Sequence, residues 1–564
     1  MATGFAPVDH ATTTVSWDRR RPSPVFAQNG MVAAAHPLIT ATGLDVLRRG
    51  GNAVDAAVAA ALTAAVVMPE MCGLGGDLFA LVHAPASPGH GGTGETVAVL
   101  GSGVAPRGAT TELMRAHGDA SRARMPYQGP LSVGVPGMVD AYAAMLTRFG
   151  SRPLVELVEP AIGYASDGFP IAPLGAKAIV ENAALLGGFP SSAAVFLPGG
   201  VPSVPGTVLR QPDLARTLRQ IAAEGADAFY RGEIAERIGR FMAEAGGALS
   251  ADDLAGHATD MAPPISTVYR GHTVYQTGLP TQGMILLEAL NIVAQADLSA
   301  IGVDSATGVH LLGEAKKLAY ADRLGYAGDP AFIDTPLDTL LSPEWGARRF
   351  ARIDPERAAE DVPAGAFEEG DTTYLCVVDA QGMMVSLIQS VSSSFGSGVV
   401  AGDTGIVLNN RVGRGFTLEE GHPNVFAPGK KTMHTLNCYL IADSSGTMVV
   451  AGGTPGGDGQ PQWNLQVIAG LIDGGLDVQA AIELPRWTSW PGTDPITLPN
   501  PFELRVEDRL GDTVIADLER RGHRVRRTGP WGGGGSAQAI FRDPETGVLA
   551  GGSDPRVEGL ALGF

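Results

Sequence analysis

The sequence has little cysteine, no long apolar run and no pair of closely spaced histidines. Its three cysteines, Cys72, Cys376 and Cys438, are too few for a disulfide framework, and their spacing matches no zinc-binding motif. The eleven histidines are scattered, and no two of them stand three or four residues apart, as ligands on one face of a helix would. We therefore expect neither a metal ion nor an organic cofactor.

Positive charge and membrane-spanning segments are also scarce. The 564 residues include 40 lysines and arginines against 59 acidic residues, a net charge of −19, and no basic cluster, so nucleic acid is not an expected partner. The longest apolar run, residues 56–68, is shorter than the ~20 residues that span a bilayer. The N-terminus lacks the charged start and apolar core of a signal peptide. These features predict a cytoplasmic protein that binds no membrane.

The residues that are present are typical of a large folded protein with mixed structure. Hydrophobic residues make up 45% of the chain and charged residues 18%, which excludes a disordered protein. Apolar periodicity predicts helices at residues 37–49, 54–67, 306–326 and 462–472, and mainly helical structure over 140–295. Strands are predicted at 78–83 and 96–100 and, after residue 372, in the runs TTYLCVVDA, MVSLIQSV, GIVLNN, NCYLIADS, TMVVAGGT and SAQAIFR.

The apolar periodicity of the chain is interrupted before residue 372. Periodicity fades over residues 333–370, and this segment ends in acidic residues and Asp371, after which Thr372 opens a β-rich run. If the peptide bond before a threonine is cut, the freed α-amine can act as the base for the threonine's own hydroxyl, and its ordinary pKa of roughly 7.7–8 suits this role. By position alone, however, Thr372 is more simply a β-branched residue at the start of a strand.

A series of motifs resembles the γ-glutamyltranspeptidase family of self-cleaving N-terminal-nucleophile hydrolases. In chain order they include GGNAVDAAVAAALTAAVVMPEMCGLGGDLFALV, LVEPAIGYASDGFPI, YRGHTVYQTGLPTQG, GEAKKLAYADRLGYAGDP, TTYLCVVDAQGMMVSLIQSVSSSFGSGVV, TGIVLNNR and GGTPGGDGQPQ. The resemblance implies an α+β fold, a four-layer αββα sandwich with two antiparallel sheets flanked by helices. It also implies cleavage between Asp371 and Thr372 into a large subunit, residues 1–371, and a small subunit, residues 372–564, which stay together as a heterodimer.

The resemblance also assigns roles to four residues. Thr372 falls on the family's processing site and nucleophile, and Ser390 on a hydroxyl that bonds the nucleophile. Gly456 and Gly457 fall on the oxyanion hole, where the absence of a Cβ lets backbone N–H groups approach a tetrahedral oxyanion. Taken alone, the glycine pair is better explained as a turn after the strand TMVVAGG.

The residues that would bind a glutamyl group differ from the family pattern. Ser102 stands where transpeptidases have an arginine for the α-carboxylate, and Arg414 where they have an acid for the α-amino group. His434-Thr435 replaces their Ser-Ser pair, and Ser392 replaces a substrate-binding asparagine. These changes are similar to a divergent branch that includes cephalosporin-acylase-like enzymes and amidohydrolases acting on oxamate-like acyl groups.

Two arginines stand out beside this pocket. Arg411 and Arg414 follow the pair Asn409-Asn410, and together they would form a fork for a planar carboxylate. Alternatively, each is only a solvated surface charge. We predict a self-processing amidohydrolase or acyltransferase that acts through a threonyl ester on a small-molecule amide with a carboxylate-bearing, non-glutamyl acyl group.

Three other functions stay open at this point. The first is a true γ-glutamyl transferase or hydrolase with an altered pocket. The second is a specialised-metabolism homologue that uses the same nucleophile to cleave a C–C bond next to a carbonyl. The third is a non-catalytic relative kept as a binding protein, which loss of Thr372 or of the glycine pair would have supported.

Overall fold

The computed structural model describes residue 21 and residues 23–86, 94–360, 372–493 and 501–564. Asp371, on one side of the predicted cleavage site, lies outside the described residues, as do the first 20 residues of the chain. No helix in the described part of the chain is both long and apolar enough to cross a membrane.

The described residues form strands that belong mostly to two sheets. In chain order the strands are β1 (Val25–Ala27), β2 (Gly30–Ala34), β3 (Asp77–Ala84), β4 (Glu95–Gly101), β5 (Phe169–Pro170), β6 (Val208–Leu209), β7 (Asp260–Ala262), β8 (Ile265–Tyr269), β9 (His272–Gln276), β10 (Thr373–Asp379), β11 (Met384–Ser390), β12 (Cys438–Ala442), β13 (Met448–Gly453), β14 (Trp487–Trp490), β15 (Glu503–Val506), β16 (Val525–Arg527), β17 (Gln538–Arg542), β18 (Leu549–Ser553) and β19 (Leu560–Gly563).

Helices connect and cover these strands. In chain order they are α1 (Pro37–Arg48), α2 (Ala53–Val67), α3 (Thr111–His117), α4 (Met138–Phe149), α5 (Leu154–Asp167), α6 (Pro173–Glu181), α7 (Ala183–Gly187), α8 (Pro190–Phe196), α9 (Pro212–Glu224), α10 (Asp227–Tyr230), α11 (Glu233–Glu244), α12 (Ala251–Ala255), α13 (Gly283–Val293), α14 (Leu298–Ile301), α15 (Ala306–Tyr326), α16 (Leu337–Leu340), α17 (Pro343–Phe350), α18 (Arg411–Gly415), α19 (Gly459–Ile472), α20 (Val478–Glu483) and α21 (Asp512–Arg520).

The two large sheets pack face to face. The first sheet has the order β19-β2-β10-β11-β3-β4-β7 and the second the order β1-β18-β17-β13-β12-β9-β8. Every neighbouring pair in both sheets is antiparallel. Helices α1, α2 and α4 cover the outer face of the first sheet, and α13 and α19 that of the second. The molecule is therefore a four-layer αββα sandwich, as the sequence predicts.

Side-chain alternation along β10 shows how the layers are specified. Tyr374, Cys376 and Val378 point into the apolar core between the sheets, whereas Leu375 and Val377 point into the core under the helices. Both sets are buried, so this strand is apolar on both faces. Sheets buried on both faces need helical cover, and this requirement produces the outer layers.

Helix α2 is the alanine-rich run of the sequence. It begins with a capping box formed by Asn52 and Asp55, and all of its residues are buried. Small side chains let it pack closely against both α1 and the first sheet. The run is a buried helix, as the sequence predicts. The hairpin of β3 and β4 and the long helix α15 are also confirmed.

Two regions contain structure beyond the sequence prediction. Residues 140–295 are mainly helical, as predicted, but they also include β7, β8 and β9, and the last two form a hairpin through Arg270 and Gly271. The segment from residue 333, where periodicity fades, contains α16 and α17 within residues 337–350. Both helices in that segment are short, so apolar periodicity has little length over which to repeat.

The predicted strand GIVLNN is wrong. Over residues 405–410 the chain makes only isolated bridges to Val400 and Gly75. Gly405 has a φ of +71°, and the side-chain amide of Asn409 donates to the Gly75 carbonyl at 2.8 Å. Side-chain hydrogen bonds to the backbone thus replace part of a strand ladder here.

Candidate active site

Thr372 lies immediately before β10, and its side chain is buried beside Ser390. Only 2% of Thr372 is exposed, and its hydroxyl donates to the Ser390 hydroxyl across 3.2 Å. The register of β10 and β11 explains the contact, because Thr373 pairs with Gln389 and the next position brings Thr372 opposite Ser390. The structure therefore brings together two residues that the sequence singled out separately.

The next strands extend this pair into a row. Ser390 pairs with Asp77 at the start of β3, and Leu78 pairs with Gly101, so continuing the register brings Ser102 opposite Asp77. We call Thr372, Ser390, Asp77 and Ser102 the polar row. By the alternation of their strands, all four point toward the second sheet. The row lies at one end of the space between the sheets.

Asp77 is the member of the row that the sequence analysis did not identify. Its carboxylate accepts a hydrogen bond from Arg411 Nε at 3.2 Å, and both residues are buried. Burial raises the pKa of Asp77 to about 6, and the Arg411 guanidinium opposes this rise. Asp77 is therefore ionised at neutral pH and holds Arg411 beside the row. The signal in the sequence was an acid placed directly after a glycine-rich turn, at the start of an apolar strand.

His434 lies on the other side of Asp77. Its Nδ1 is 3.9 Å from Asp77 Oδ2, and its ring meets Phe79 edge-on at 4.8 Å between centroids. Burial and the neighbouring Arg411 hold the pKa of His434 well below its usual range, so the imidazole is neutral. A neutral imidazole carries one N–H donor and one acceptor nitrogen.

A strained turn after β11 positions Ser390. The backbone N–H of Ser392 donates to the Ser390 hydroxyl oxygen at 2.7 Å, and Ser392 has a φ of +92°, a conformation that non-glycine residues rarely adopt. Arg414 Nη1 donates to the Ser392 carbonyl at 3.0 Å and so holds the strained residue in place. Arg411 and Arg414 both have protein partners, and they do not form a free fork.

The glycine pair follows the end of β13 in the second sheet, at the end of the sandwich where the polar row lies. β13 ends at Gly453, and the ring of Tyr374, two residues after Thr372, packs against Gly453 so closely that a Cβ there would overlap it. The chain then turns through Gly456 and Gly457, with φ values of +123° and +54°. The start of β10 and the end of β13 thus lie at the same end of the sandwich.

Side-chain hydrogen bonds hold the glycine turn, the turn through Gly456 and Gly457, in place. Gln282 Nε2 donates to the Gly457 carbonyl at 3.0 Å. Asp458 accepts from Arg323 Nη1 at 2.9 Å and from the Thr493 hydroxyl at 2.8 Å. The Gly456 carbonyl accepts the Gly459 N–H at 2.8 Å, so the peptide plane that carries the Gly457 N–H is fixed before any ligand binds.

Several buried polar atoms around the polar row have no hydrogen-bond partner among the described residues. They are Ser102 Oγ, Ser392 Oγ, Arg411 Nη2 and both ring nitrogens of His434. Unpartnered buried polar atoms are uncommon in folded proteins and are costly unless water or a ligand satisfies them. Their clustering here marks the place where a polar ligand would be bound.

A small cavity adjoins these residues. It comprises about 280 Å³ of empty space, part of which is open solvent, and is lined by Arg323, Arg411, Arg414, Gly415, Met433, Thr435, Asp458 and Thr493. We call it the inner cavity. Three arginines and one aspartate give it an excess of positive charge. Thr372 itself does not line it in the intact chain.

One group of potential metal ligands occurs within the described residues, and it lies elsewhere. His310, Glu314 and His523 come together on and beside the N-terminal half of α15. Their polar atoms already bond to protein groups: His310 Nδ1 to His523 Nε2 at 2.9 Å, and Glu314 Oε1 to Lys317 at 2.6 Å. With its hydrogen bonds made and a lysine beside it, the cluster is a buried polar network and not a site suited to a cation.

The comparison with known families agrees with this geometry. Residues 40–564 match the family model described as gamma-glutamyltranspeptidase. The chain belongs to the gamma-glutamyltranspeptidase family.

Relatives in the gamma-glutamyltranspeptidase family align over nearly the whole chain. A glutathione hydrolase-like proenzyme of Bacillus subtilis is 38% identical over 96% of this chain and 99% of its own length. An oxamate amidohydrolase proenzyme of Klebsiella pneumoniae is 37% identical over 95% of this chain and 98% of its own. The crystal structure of a cephalosporin acylase from Bacillus halodurans matches with a TM-score of 0.89 and 36% identity, covering 100% of this chain and 99% of that one.

These similarities confirm the family and the class of enzyme predicted from the sequence. The chain is an N-terminal-nucleophile-type amidohydrolase of the gamma-glutamyltranspeptidase family, similar to its acylase and oxamate amidohydrolase members. A non-catalytic relative is thereby disfavoured.

Proposed function

We propose that the chain cuts itself between Asp371 and Thr372 and then uses Thr372 to hydrolyse or transfer a carboxylate-bearing acyl group from an amide. The pieces would be residues 1–371 and 372–564. The observation that carries the proposal is the hydrogen bond from the Thr372 hydroxyl to Ser390, immediately before a buried strand and at the end of the sandwich where β13 leads into the glycine turn.

In the self-cleavage step, the Thr372 hydroxyl attacks the carbonyl carbon of Asp371. The C–N bond between the two residues breaks, an ester forms, and the hydroxyl proton passes to the new α-amine. Water then hydrolyses the ester and releases the Asp371 carboxylate. Ser390 accepts the Thr372 hydroxyl proton in a hydrogen bond at 3.2 Å, which orients the attacking hydroxyl.

In turnover, the α-amine takes the hydroxyl proton as Thr372 attacks the substrate's amide carbon. The amine leaves with that proton and a threonyl ester remains, which water or a second amine resolves. The tetrahedral oxygen would lie against the backbone N–H groups of Gly456 and Gly457. Such donors contribute about 3–4 kcal/mol each to transition-state stabilisation in enzymes of this kind.

The acyl group is proposed from the charges and unpartnered atoms of the inner cavity. Arg411 lines that cavity, and its Nη2 has no hydrogen-bond partner among the described residues, while Asp77 fixes its Nε. One free N–H edge on a positioned guanidinium suits a carboxylate oxygen. Ser102 and His434 offer further hydrogen bonds to the same group.

The test compares two amides that differ only in the acyl-side carboxylate, one free and one methylated. We expect wild type to prefer the free acid, and Arg411→Ala to lose that preference, because a charge-assisted hydrogen bond contributes about 1.5–3 kcal/mol. Arg122→Ala, which removes an exposed arginine paired with Asp119, is the control. Equal activity of wild type on both amides would contradict the carboxylate assignment.

A γ-glutamyl substrate is the second candidate, favoured by the 38% identity to a glutathione hydrolase-like proenzyme. Ser102 and Arg414 stand against it, because a serine replaces the carboxylate-binding arginine and an arginine would repel an α-ammonium group. We expect slow turnover of glutathione. The double change Ser102→Arg with Arg414→Asp tests the idea, and fast glutathione turnover by wild type would restore this candidate.

A further inference from the structure

A second cavity adjoins the inner cavity. It comprises about 400 Å³ of empty space, part of which is open solvent, and is lined by Arg323, Leu324, Ala327, Gly415, Thr417, Glu419, His422, Asn424, Met433 and Thr493. We call it the outer cavity. Four of these residues, Arg323, Gly415, Met433 and Thr493, also line the inner cavity, so the two are contiguous.

The two cavities differ in charge. The inner cavity contains Arg411 and Arg414, and its aspartate is paired with Arg323. The outer cavity contains Glu419, which is exposed and makes no ion pair with any described residue. A substrate that extends through both cavities thus meets positive charge at one end and negative charge at the other.

The rest of the outer cavity is partly apolar, and His422 adds a ring nitrogen to its polar lining. Leu324 and Ala327 of the α15 end form one wall. His422 Nδ1 accepts the backbone N–H of Asn424 at 2.9 Å, so its proton is assigned to Nε2. Burial lowers the pKa of His422, which keeps it neutral at neutral pH.

We propose that the outer cavity binds the amine side of the substrate amide, and that the preferred amine has an apolar body and a positive charge. The proposal rests on the function proposed above. In the acylation step the amide C–N bond breaks, the nitrogen takes the proton that Thr372 gave to its own α-amine, and the free amine leaves through the outer cavity. The acyl group stays on Thr372 beside the inner cavity.

The first experiment tests the position of the amine. Two amides of the same acyl group are compared by kcat/KM. One is the primary amide, which releases only ammonia, and the other is the n-butylamide. In Leu324→Trp, which fills the outer cavity, we expect the ratio of butylamide to primary-amide kcat/KM to fall about tenfold, as steric mismatch in a pocket typically gives. Tyr326→Trp is the control, because Tyr326 is on the same helix, is exposed and lines neither cavity.

The second experiment tests the charge. The monoamide of 1,4-diaminobutane adds one ammonium group to the n-butylamide, and we expect wild type to prefer it about threefold at low salt, the range of an exposed ion pair. Glu419→Gln should abolish the preference. Glu420→Gln should keep it, because Glu420 is the neighbouring exposed acid and pairs with Arg115.

The outcomes separate this proposal from the one on which it rests. Wild type that cleaves none of the three amides contradicts the proposed function itself. Wild type that cleaves them, with an unchanged ratio in Leu324→Trp, overturns the subsite, and a charge preference that survives Glu419→Gln overturns the ammonium assignment. If Leu324→Trp does not fold, the test is whether free 1,4-diaminobutane inhibits primary-amide hydrolysis by wild type. We expect competitive inhibition, and we expect Glu419→Gln to weaken it. Absence of this inhibition overturns the subsite.

Discussion

At the scale of single residues, the chemistry depends on one hydroxyl. Thr372→Ala removes the proposed nucleophile, so we expect one uncut chain without amidase activity, whereas Thr372→Ser keeps a hydroxyl and should still be cut. Thr373→Val is the matched control, because Thr373 is equally buried. Among the described residues, its hydroxyl donates a hydrogen bond only to the Met68 sulfur, at 3.6 Å. Mass spectrometry of the purified proteins gives the result. An uncut wild-type chain with full activity would contradict the mechanism.

Gly456 gives a second prediction at this scale. A Cβ at this position would lie 2.1 Å from the Trp463 ring, so an alanine must move the turn that carries the oxyanion donors. We expect Gly456→Ala to lower kcat about 10²–10³-fold, the cost of losing one such donor.

The control for this variant is Gly475→Ala. Gly475 also has a positive φ, +61°, but a Cβ there meets nothing within 4 Å. The Gly475→Ala variant therefore measures the effect of backbone strain alone, without a steric clash. Similar losses of kcat in both variants would show that strain, and not the position of the donors, explains the effect.

The sequence predicted some of these residues and missed others for a physical reason. Thr372 and the glycine pair stand in motifs that local sequence identifies. Asp77 belongs to the same site only because β3 pairs with β11 in a register that sets it beside Ser390. A register between strands so far apart in the chain is fixed by the packed sheet and cannot be inferred from either strand alone.

At the scale of elements, strong local signals were predictive and weak ones were not. Helix α2 combines a capping box with a continuous alanine-rich run, and its start was predicted to within one residue. The hairpin of β8 and β9 has only a weak signal, which is β-branched alternation on either side of Arg270-Gly271. Both strands are short and stand among segments with strong helical periodicity, so the sequence does not predict them. The pairing of Asn409 with distant backbone, in contrast, has no local signal at all.

The contact between α13 and α17 gives a prediction for pH dependence. Glu288 of α13 is fully buried and accepts a hydrogen bond from the Trp345 indole at 3.1 Å, and burial raises its pKa to about 8. Between its usual pKa and this value, the folded state keeps a proton that the unfolded state releases. The contribution of Glu288 to stability is therefore greatest at low pH and is lost as pH rises toward 8.

Glu288→Gln keeps the shape of the side chain but cannot ionise. We expect its Tm to fall less than that of wild type between about pH 5 and about pH 8, because unfolding no longer releases a proton from this side chain. Glu344→Gln, at an exposed position of α17, is the control. Parallel curves of Tm against pH for wild type and Glu288→Gln would contradict the shifted pKa.

At the scale of the whole molecule, the two proposed pieces are interleaved within both sheets. In the first sheet, β19, β10 and β11 come from the C-terminal piece, and β2, β3, β4 and β7 from the N-terminal piece. In the second sheet, β1, β9 and β8 come from the N-terminal piece and the other four strands from the C-terminal piece. Cleavage before Thr372 therefore breaks one peptide bond and leaves every strand ladder closed.

The last prediction concerns what holds the pieces together. Ladders cross between them at β19–β2, β2–β10, β11–β3, β1–β18 and β12–β9, so separation would expose unpaired strand edges and the apolar core between the sheets. We expect the cut protein to elute as one species in native size-exclusion chromatography, to unfold in one cooperative transition, and to separate only in denaturant. Thr372→Ala, which stays uncut, gives the reference elution volume. Free small subunit in the native profile would mean that these ladders do not hold the two pieces together.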